Sequence, residues 1–409
     1  MRNFFLILYT LSSFVFPCIG CASAVFLLIS PSTTMNGLGE SGVSPTTSDI
    51  YSVYYNPAQI NLPSGVSFQY SSMEEEWLPG LADDISIENK IKMIGYKSPY
   101  LGSHRMSFQI AISELNTFLD LGEQAQIDEV GQLLGNFRSY MTSDARTFSL
   151  GLQFNKNIPI SLSFGRTDKE IYQKLATQGT GAEGSGDGAS TNDAYDWGIR
   201  FSIDDYRIPY PRFNNIRLTY SIGYSKSNIG DWVYFVDSTQ GDPLPRVARL
   251  GLTWGGKIYI FDDLGISFRS VHEAADMLVE VIDEESRYQQ GLLGDIDFKK
   301  HILDGDGDEN VTIHKGVELN LFDIYYYREG DFINIGGNMV FDTEGYSINI
   351  SNLIRLLQFA PANELLDYFD LSYNYSKTLA EQGEPRANTS FSEVTLSFKN
   401  LDRLFYKLF

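Results

Sequence analysis

The sequence predicts an all-β fold: an antiparallel transmembrane β-barrel of about 14 strands, with an N-terminal hatch or plug segment and short helices in the loops. Three observations carry this expectation. Apolar residues alternate with polar ones at period two through most of the chain, as where Met106, Phe108, Ile110 and Ile112 are set against Ser107, Gln109, Ala111 and Ser113. The alternate positions are filled with Ser, Gly, Thr, Asn and Gln rather than Lys and Glu. That pairing suits lipid outside and a crowded lumen inside, whereas a soluble sandwich turns charges to water. Beyond the N-terminus no run of about 20 apolar residues occurs, so membrane insertion has to be by a closed barrel.

Taken in order, residues 1–24 read as a secretory signal. Arg2 supplies the positive start, 4–16 the apolar run, and Ala22-Ser23-Ala24 a small-residue cleavage site, which places the mature start at Val25. The only cysteines, Cys18 and Cys21, precede that site, leaving the mature chain without thiol or disulfide. A competing lipoprotein reading takes Cys21 as an acylated residue. Residues 25–64 form the expected hatch and 65–409 the barrel. Val25 to Ile29 is apolar and short enough to be a strand or an anchor. The stretch 34–60 follows neither regular period: Gly37, Gly39 and Gly42 come first, then Asp49, the tyrosines 51, 54 and 55, and the turn Asn56-Pro57-Ala58. Glycines permit tight turns and close backbone approach, and Asn-Pro fixes an extended or turn dipeptide, so a compact irregular segment needing an enclosure is expected.

Alternating strands then follow around 66–70, 90–96, 106–112, 148–154, 160–164, 197–201, 216–224, 250–254, 264–268, 317–321, 333–341, 346–350, 369–375 and 394–398. Asn155-Lys156-Asn157 and Asp342-Thr343-Glu344-Gly345 read as short turns. Three insertions, 114–141, 272–300 and 352–368, read as helical or mixed loops, and 178–192 as a flexible Gly/Ser loop. The chain ends in Phe409 after a strand, as outer-membrane barrels often end in an aromatic residue.

Composition narrows the function classes. A formal net charge of −21 disfavours nucleic acid, whose phosphates demand clustered Lys and Arg. Aromatic content of 14% suits interfacial girdles. Two literal G-x-G-x-x-G matches, Gly37/Gly39/Gly42 and Gly179/Gly181/Gly184, lack the strand and helix that a dinucleotide site requires. Asp304, Asp306 and Asp308 resemble the start of a calcium loop, but Glu309 stands where such a loop needs glycine, and a solvated acidic loop is the expectation. The histidines, 104, 272, 301 and 314, form no zinc pair, no G-x-S-x-G occurs, and neither enzyme chemistry nor a cofactor is indicated.

The run 25–60, with its apolar 26–29, Gly37 to Val43, Asp49 and Asn56-Pro57-Ala58, resembles the N-terminus of the PorV/PorQ family and, more distantly, the FadL family of outer-membrane barrels. His314-Lys315-Gly316-Val317-Glu318, leading to Tyr327-Arg328-Glu329-Gly330, is similar to the first family's H-x-G-x-E strand and Arg-x-Gly turn. The resemblance implies a bacterial outer-membrane barrel of fourteen strands with a hatch inside. PorV relatives serve type IX secretion, which implies secretion-system components and cargo C-terminal domains as partners beside membrane lipid. FadL relatives pass hydrophobic small molecules, a role that would need an apolar lumen patch near the hatch. A soluble exported β-protein is the third alternative.

Overall fold

The computed structural model describes residues 22–408 apart from 80–84, 103–104, 128–131, 176–187, 209–214, 236–240, 262–263, 283–284, 358–364, 381–385 and 388. Residues 1–21, with Cys18 and Cys21, together with His104, the second glycine motif and Phe409, therefore lie outside the described residues. Fourteen strands form one closed antiparallel barrel. They are β1 (Gly65–Glu76), β2 (Ser86–Lys97), β3 (Met106–Ile127), β4 (Leu133–Asn155), β5 (Pro159–Lys174), β6 (Ala189–Arg207) and β7 (Ile216–Gly230), then β8 (Val247–Phe261), β9 (Leu264–Met277), β10 (Val311–Leu321), β11 (Tyr325–Asn334), β12 (Met339–Asn349), β13 (Phe369–Leu379) and β14 (Ser390–Phe398). Each strand pairs with its neighbours in sequence, and β1 closes the ring on β14 from Phe68–Phe398 to Ser72–Val394. Closure satisfies the backbone donors and acceptors of every strand without water, which is what hydrocarbon demands. Among the described residues no helix is long and apolar enough to cross a membrane.

The alternation read from the sequence sorts the two faces. Ile94, Ile112 and Phe148 sit side by side, exposed on the outer wall, while Ser113, Thr147 and Ser149 are buried inside. One outward row further along the strands, Lys92, Glu114, Arg146 and Asp168 are neighbours, with Lys92 and Glu114 2.6 Å apart. The apolar belt thus ends on a charged row, and the strands run on beyond it. This explains why β3 and β4 have 22 and 23 residues, when about 9–11 suffice to cross a bilayer. Connections at the belt end are mostly short, and those at the far end mostly long, so the far end faces outward from the cell.

Four sequence expectations are corrected. Residues 114–141 are not a helical insertion: apart from 128–132 they continue β3 and β4, because Leu115, Leu119 and Leu121 point inward while Phe118 points outward. The stretch 342–345 lies inside β12, and the β11–β12 turn falls at 335–338, where Gly336, Gly337 and Asn338 supply it. Residues 272–277 belong to β9; the loop after it holds a small ribbon, 279–282 with 285–288, and one wide helical turn, Phe298–Asp304. The chain's end is a helix (Leu401–Leu408), so the last strand closes on Phe398. In the third insertion a short helix (Ile350–Leu356) is present, as expected.

Candidate functional site

Residues 22–62 occupy the barrel interior from one mouth to the other. At the outer mouth Ser23 N donates to Pro243 O. Val25–Leu28 then forms one tight turn, and Phe26, Leu27, Leu28 and Ile29 are buried against the inward-facing Met73, Ile87, Leu119, Met141, Ile171 and Met277. The run is an anchor, not a strand. Ser32 caps the next short helix, α1 (Thr33–Asn36), by accepting from Met35 N at 2.9 Å. Asp49 caps the turn Ile50–Tyr54 by accepting from Tyr51 N at 2.9 Å, and also accepts from the Ser32 hydroxyl. Lower down, Ile50, Tyr51, Val53, Ile60 and Leu62 pack on Ile91, Met93, Ala111, Leu115 and Ala145 of the wall. The segment reaches the inner rim where β1 begins.

Of the seven sequence-selected residues, Asp49 bonds, among the described residues, only within the segment, to Ser32, Thr47, Tyr51 and Ser52, while the other six contact one another or the wall. Asn56 cross-links the segment: its amide donates to Val43 O at 2.9 Å and to Ile199 O at 3.2 Å, and its carbonyl accepts from Ala58 N at 2.9 Å. Pro57 O accepts from the Ser149 hydroxyl at 2.6 Å, and Gly39 N donates to the Thr343 hydroxyl at 2.9 Å. The glycines meet glycines. Gly39 has φ +68°, and a Cβ on the facing Gly330 would lie 2.1 Å from Gly39 N. A Cβ on Gly165 would lie 1.9 Å from Pro57 O, and one on Gly223 2.1 Å from Val43 O. Backbone thus lies directly on backbone, and the first G-x-G-x-x-G is a packing device against a ring of inward glycines.

The wall holds the segment with charge as well. Glu273 accepts from Gly42 N at 2.7 Å and Val43 N at 2.8 Å through one carboxylate oxygen, and from Arg249 at 3.0 Å through the other. Arg200 donates to Ser44 O at 2.9 Å, Arg269 to Thr46 O at 2.7 Å, and His314 to Gly39 O at 2.8 Å. Glu318 joins Arg269 and Arg328. Sequence reasoning found His314, Glu318 and Arg328 only through a family resemblance, and it missed Arg200, Arg249 and Arg269. It missed Glu273 as well. The available signal was an inward-phase charge in strands whose inward residues are otherwise small and neutral.

The interior is therefore stratified. Its outer tier is mainly apolar, with the buried Lys169–Asp196 pair (2.8 Å) beside it; its middle tier is the latched segment, and its inner tier is a cavity of about 620 Å³. Arg217, Lys257, Arg269, Asp204, Asp205 and Glu318 line that vestibule together with serines, threonines and asparagines.

Outside the barrel the acidic loop is tied by its own lysines. Asp304 pairs with Lys299 at 2.8 Å, and among the described residues no group of three His, Cys, Asp or Glu converges as a metal site. Burial opposes ionisation of Asp308, yet hydrogen bonds from Lys300 (2.5 Å), the Val311 and Asn310 amides and His301 bring it from 3.8 down to about 2. A depressed carboxylate stabilises the fold above its unfolded value and loses that contribution as pH falls through the folded one. The loop is thus expected to resist limited proteolysis at pH 5 and to loosen between about pH 4 and 2; equal cleavage across that window would contradict the pairing.

An apolar belt bounded by charge outside, and a closed ring packed with polar side chains inside, decide the class. The chain is a bacterial outer-membrane β-barrel. No family model and no curated protein matches it. Solved structures similar to it include the toluene transporter TodX of Pseudomonas putida, at 11% identity over 89% of this chain and 96% of that one, with a TM-score of 0.41. A Pseudomonas aeruginosa FadL homologue follows at 10% identity, covering 90% and 97%, with a TM-score of 0.39. The translocator domain of the autotransporter NalP from Neisseria meningitidis, at 10% identity, covers 84% and 90% with a TM-score of 0.36. At these scores the likeness carries no argument about a ligand or a partner.

Proposed function

We propose that this barrel is a channel for hydrophobic small molecules, with residues 25–64 as its hatch. The observation that carries the reading is the apolar outer tier. Met73, Ile87, Leu119, Met141, Ile171 and Met277 face the lumen at the outer mouth, where a water-filled pore carries polar side chains. Phe26 to Ile29 fill that tier, so their withdrawal would open a pocket that an apolar solute can occupy with the same contacts. The solute would then meet the latched middle tier, and the hatch must yield for passage. Toluene, small and apolar, is a suitable first solute for a tier of this chemistry.

The barrel reconstituted in vesicles bearing lipopolysaccharide on their outer leaflet should speed toluene uptake and leave sucrose uptake unchanged. Leu119→Glu, which puts a charge into the outer tier, should lower the toluene rate several-fold. Sucrose passing as readily as toluene would overturn the proposal. The secretion-associated reading ranks second, because the long outer loops it relies on fall partly on 176–187 and 381–385, outside the described residues.

A further inference from the structure

The apolar belt does not stop at the same height all round the barrel. On β7 to β10 it climbs past Trp254, which is 49% exposed, to Leu252, Leu250, Ala274 and Ile313. These four point outward, since they alternate with Thr253, Gly251, Glu273 and His314, which face the segment inside. Yet they are buried, because the loop between β9 and β10 folds back over the outside of the wall and packs Ile296 and Ile302 on them. Tyr224 donates to Leu292 O at 2.5 Å, Lys226 to Gly291 O at 2.8 Å, and Asp295 N to Asp276 at 2.6 Å, which pins the flap to the wall.

A flap whose task ended at sheltering the wall would turn polar residues to its surroundings. This one exposes Leu292 (62%), Leu303 (56%), Phe298 and Leu293. They lie where the belt reaches highest, so the apolar surface of the flap continues the surface that already meets lipid. We propose that residues 289–304 form an interfacial anchor that sinks these four side chains into the acyl–headgroup boundary of the outer leaflet. Lys299 and Lys300 are already engaged by Asp304 and Asp308, which leaves the contact apolar in character and insensitive to salt.

The test uses the full chain, folded in phosphatidylcholine vesicles, with Cys18→Ser and Cys21→Ser as background. Nitroxide labels go on Leu292→Cys, on Leu319→Cys in the belt, and on Val281→Cys in the small ribbon near the outer mouth. Heat-modifiable migration confirms folding of each variant. The label at 292 should show an oxygen-to-nickel-chelate collision ratio close to that at 319 and several-fold above that at 281, unchanged in 1 M salt. Leu303→Cys repeats the reading if Leu292→Cys folds poorly. A ratio at 292 or 303 equal to that at 281 overturns the anchor. So does shielding that appears only when outer-membrane extract is added, because that outcome assigns the surface to a protein partner.

Discussion

Alanine at Glu273 should free the inner segment and raise the barrel's conductance. The carboxylate is fully buried and receives two backbone amides of the inner segment and one guanidinium of the wall. Its removal orphans Gly42 N, Val43 N and the charge on Arg249 together. Breaking a buried pair from one side costs roughly 3–5 kcal/mol, and here that loss falls on the interface between segment and wall. The wall should survive, because β8 and β9 are zipped by backbone pairs from Val247–Met277 to Phe261–Leu264. Single-channel recordings are expected to show frequent openings that the parent lacks. Glu273→Gln, which keeps one acceptor, should fall between, and adding Arg249→Ala to Glu273→Ala should cost less than the sum, since the orphaned charge is gone. A folded Glu273→Ala barrel as silent as its parent would remove the latch from the account.

Gly330→Val should have the next largest effect, through shape rather than charge. The new Cβ would lie 2.1 Å from Gly39 N and 2.3 Å from the Leu38 carbonyl carbon. Both are backbone atoms and cannot swing aside as a side-chain tip would. Overpacking of this kind costs about 1–3 kcal/mol, and because the β11 backbone is held by ladders on both sides, the segment is the part that must move. The expected result is raised sucrose leakage into vesicles with heat-modifiable migration retained. Parental permeability in the folded variant would mean that the segment does not seal the lumen. Together, Gly330→Val and Glu273→Ala should be less than additive, since either one frees the same residues.

The barrel was legible because hydrocarbon on one face and a packed lumen on the other impose period two on every strand. Thus the runs 148–154 and 160–164 fell directly into β4 and β5. The irregularity of the segment was visible in the reverse cue, since Gly37 to Ala58 obeys no period. Strand length was not legible. From the charged row onward the outward residues of β3 are Glu114, Asn116 and Phe118, and Leu115, Phe118 and Leu119 then mimic helical spacing although β3 continues. The flap was hidden for a related reason: Leu250 and Leu252 carry the same outward phase as lipid-facing residues, and nothing local shows that a loop covers them. The latch required three-dimensional information, because Glu273 and Gly42 are joined only when the ring closes. The inward glycines 165, 198, 223, 251, 316, 330 and 345 were in plain view, and an isolated glycine in a strand is a signal of close backbone approach. Taken as a set, they would have given the height at which the segment crosses the lumen.

The seam where the ring closes bears on how this molecule is made. Strand β1 meets β14 in only five residue pairs; past Ser72 the ladder stops, and the Glu75 carboxylate takes over by accepting from Ser392 N at 2.7 Å. Every other barrel contact joins chain neighbours, so this seam alone must bring the two ends of the barrel sequence together, with the largest loop-closure entropy. The inner segment is continuous with β1, and its helix α1 packs against β12, β13 and β14 just inside the seam. Whatever draws the segment inward therefore also carries β1 to its last partner. A chain lacking the segment would lose the contacts that hold β1 beside its last partner, and is expected to close more slowly.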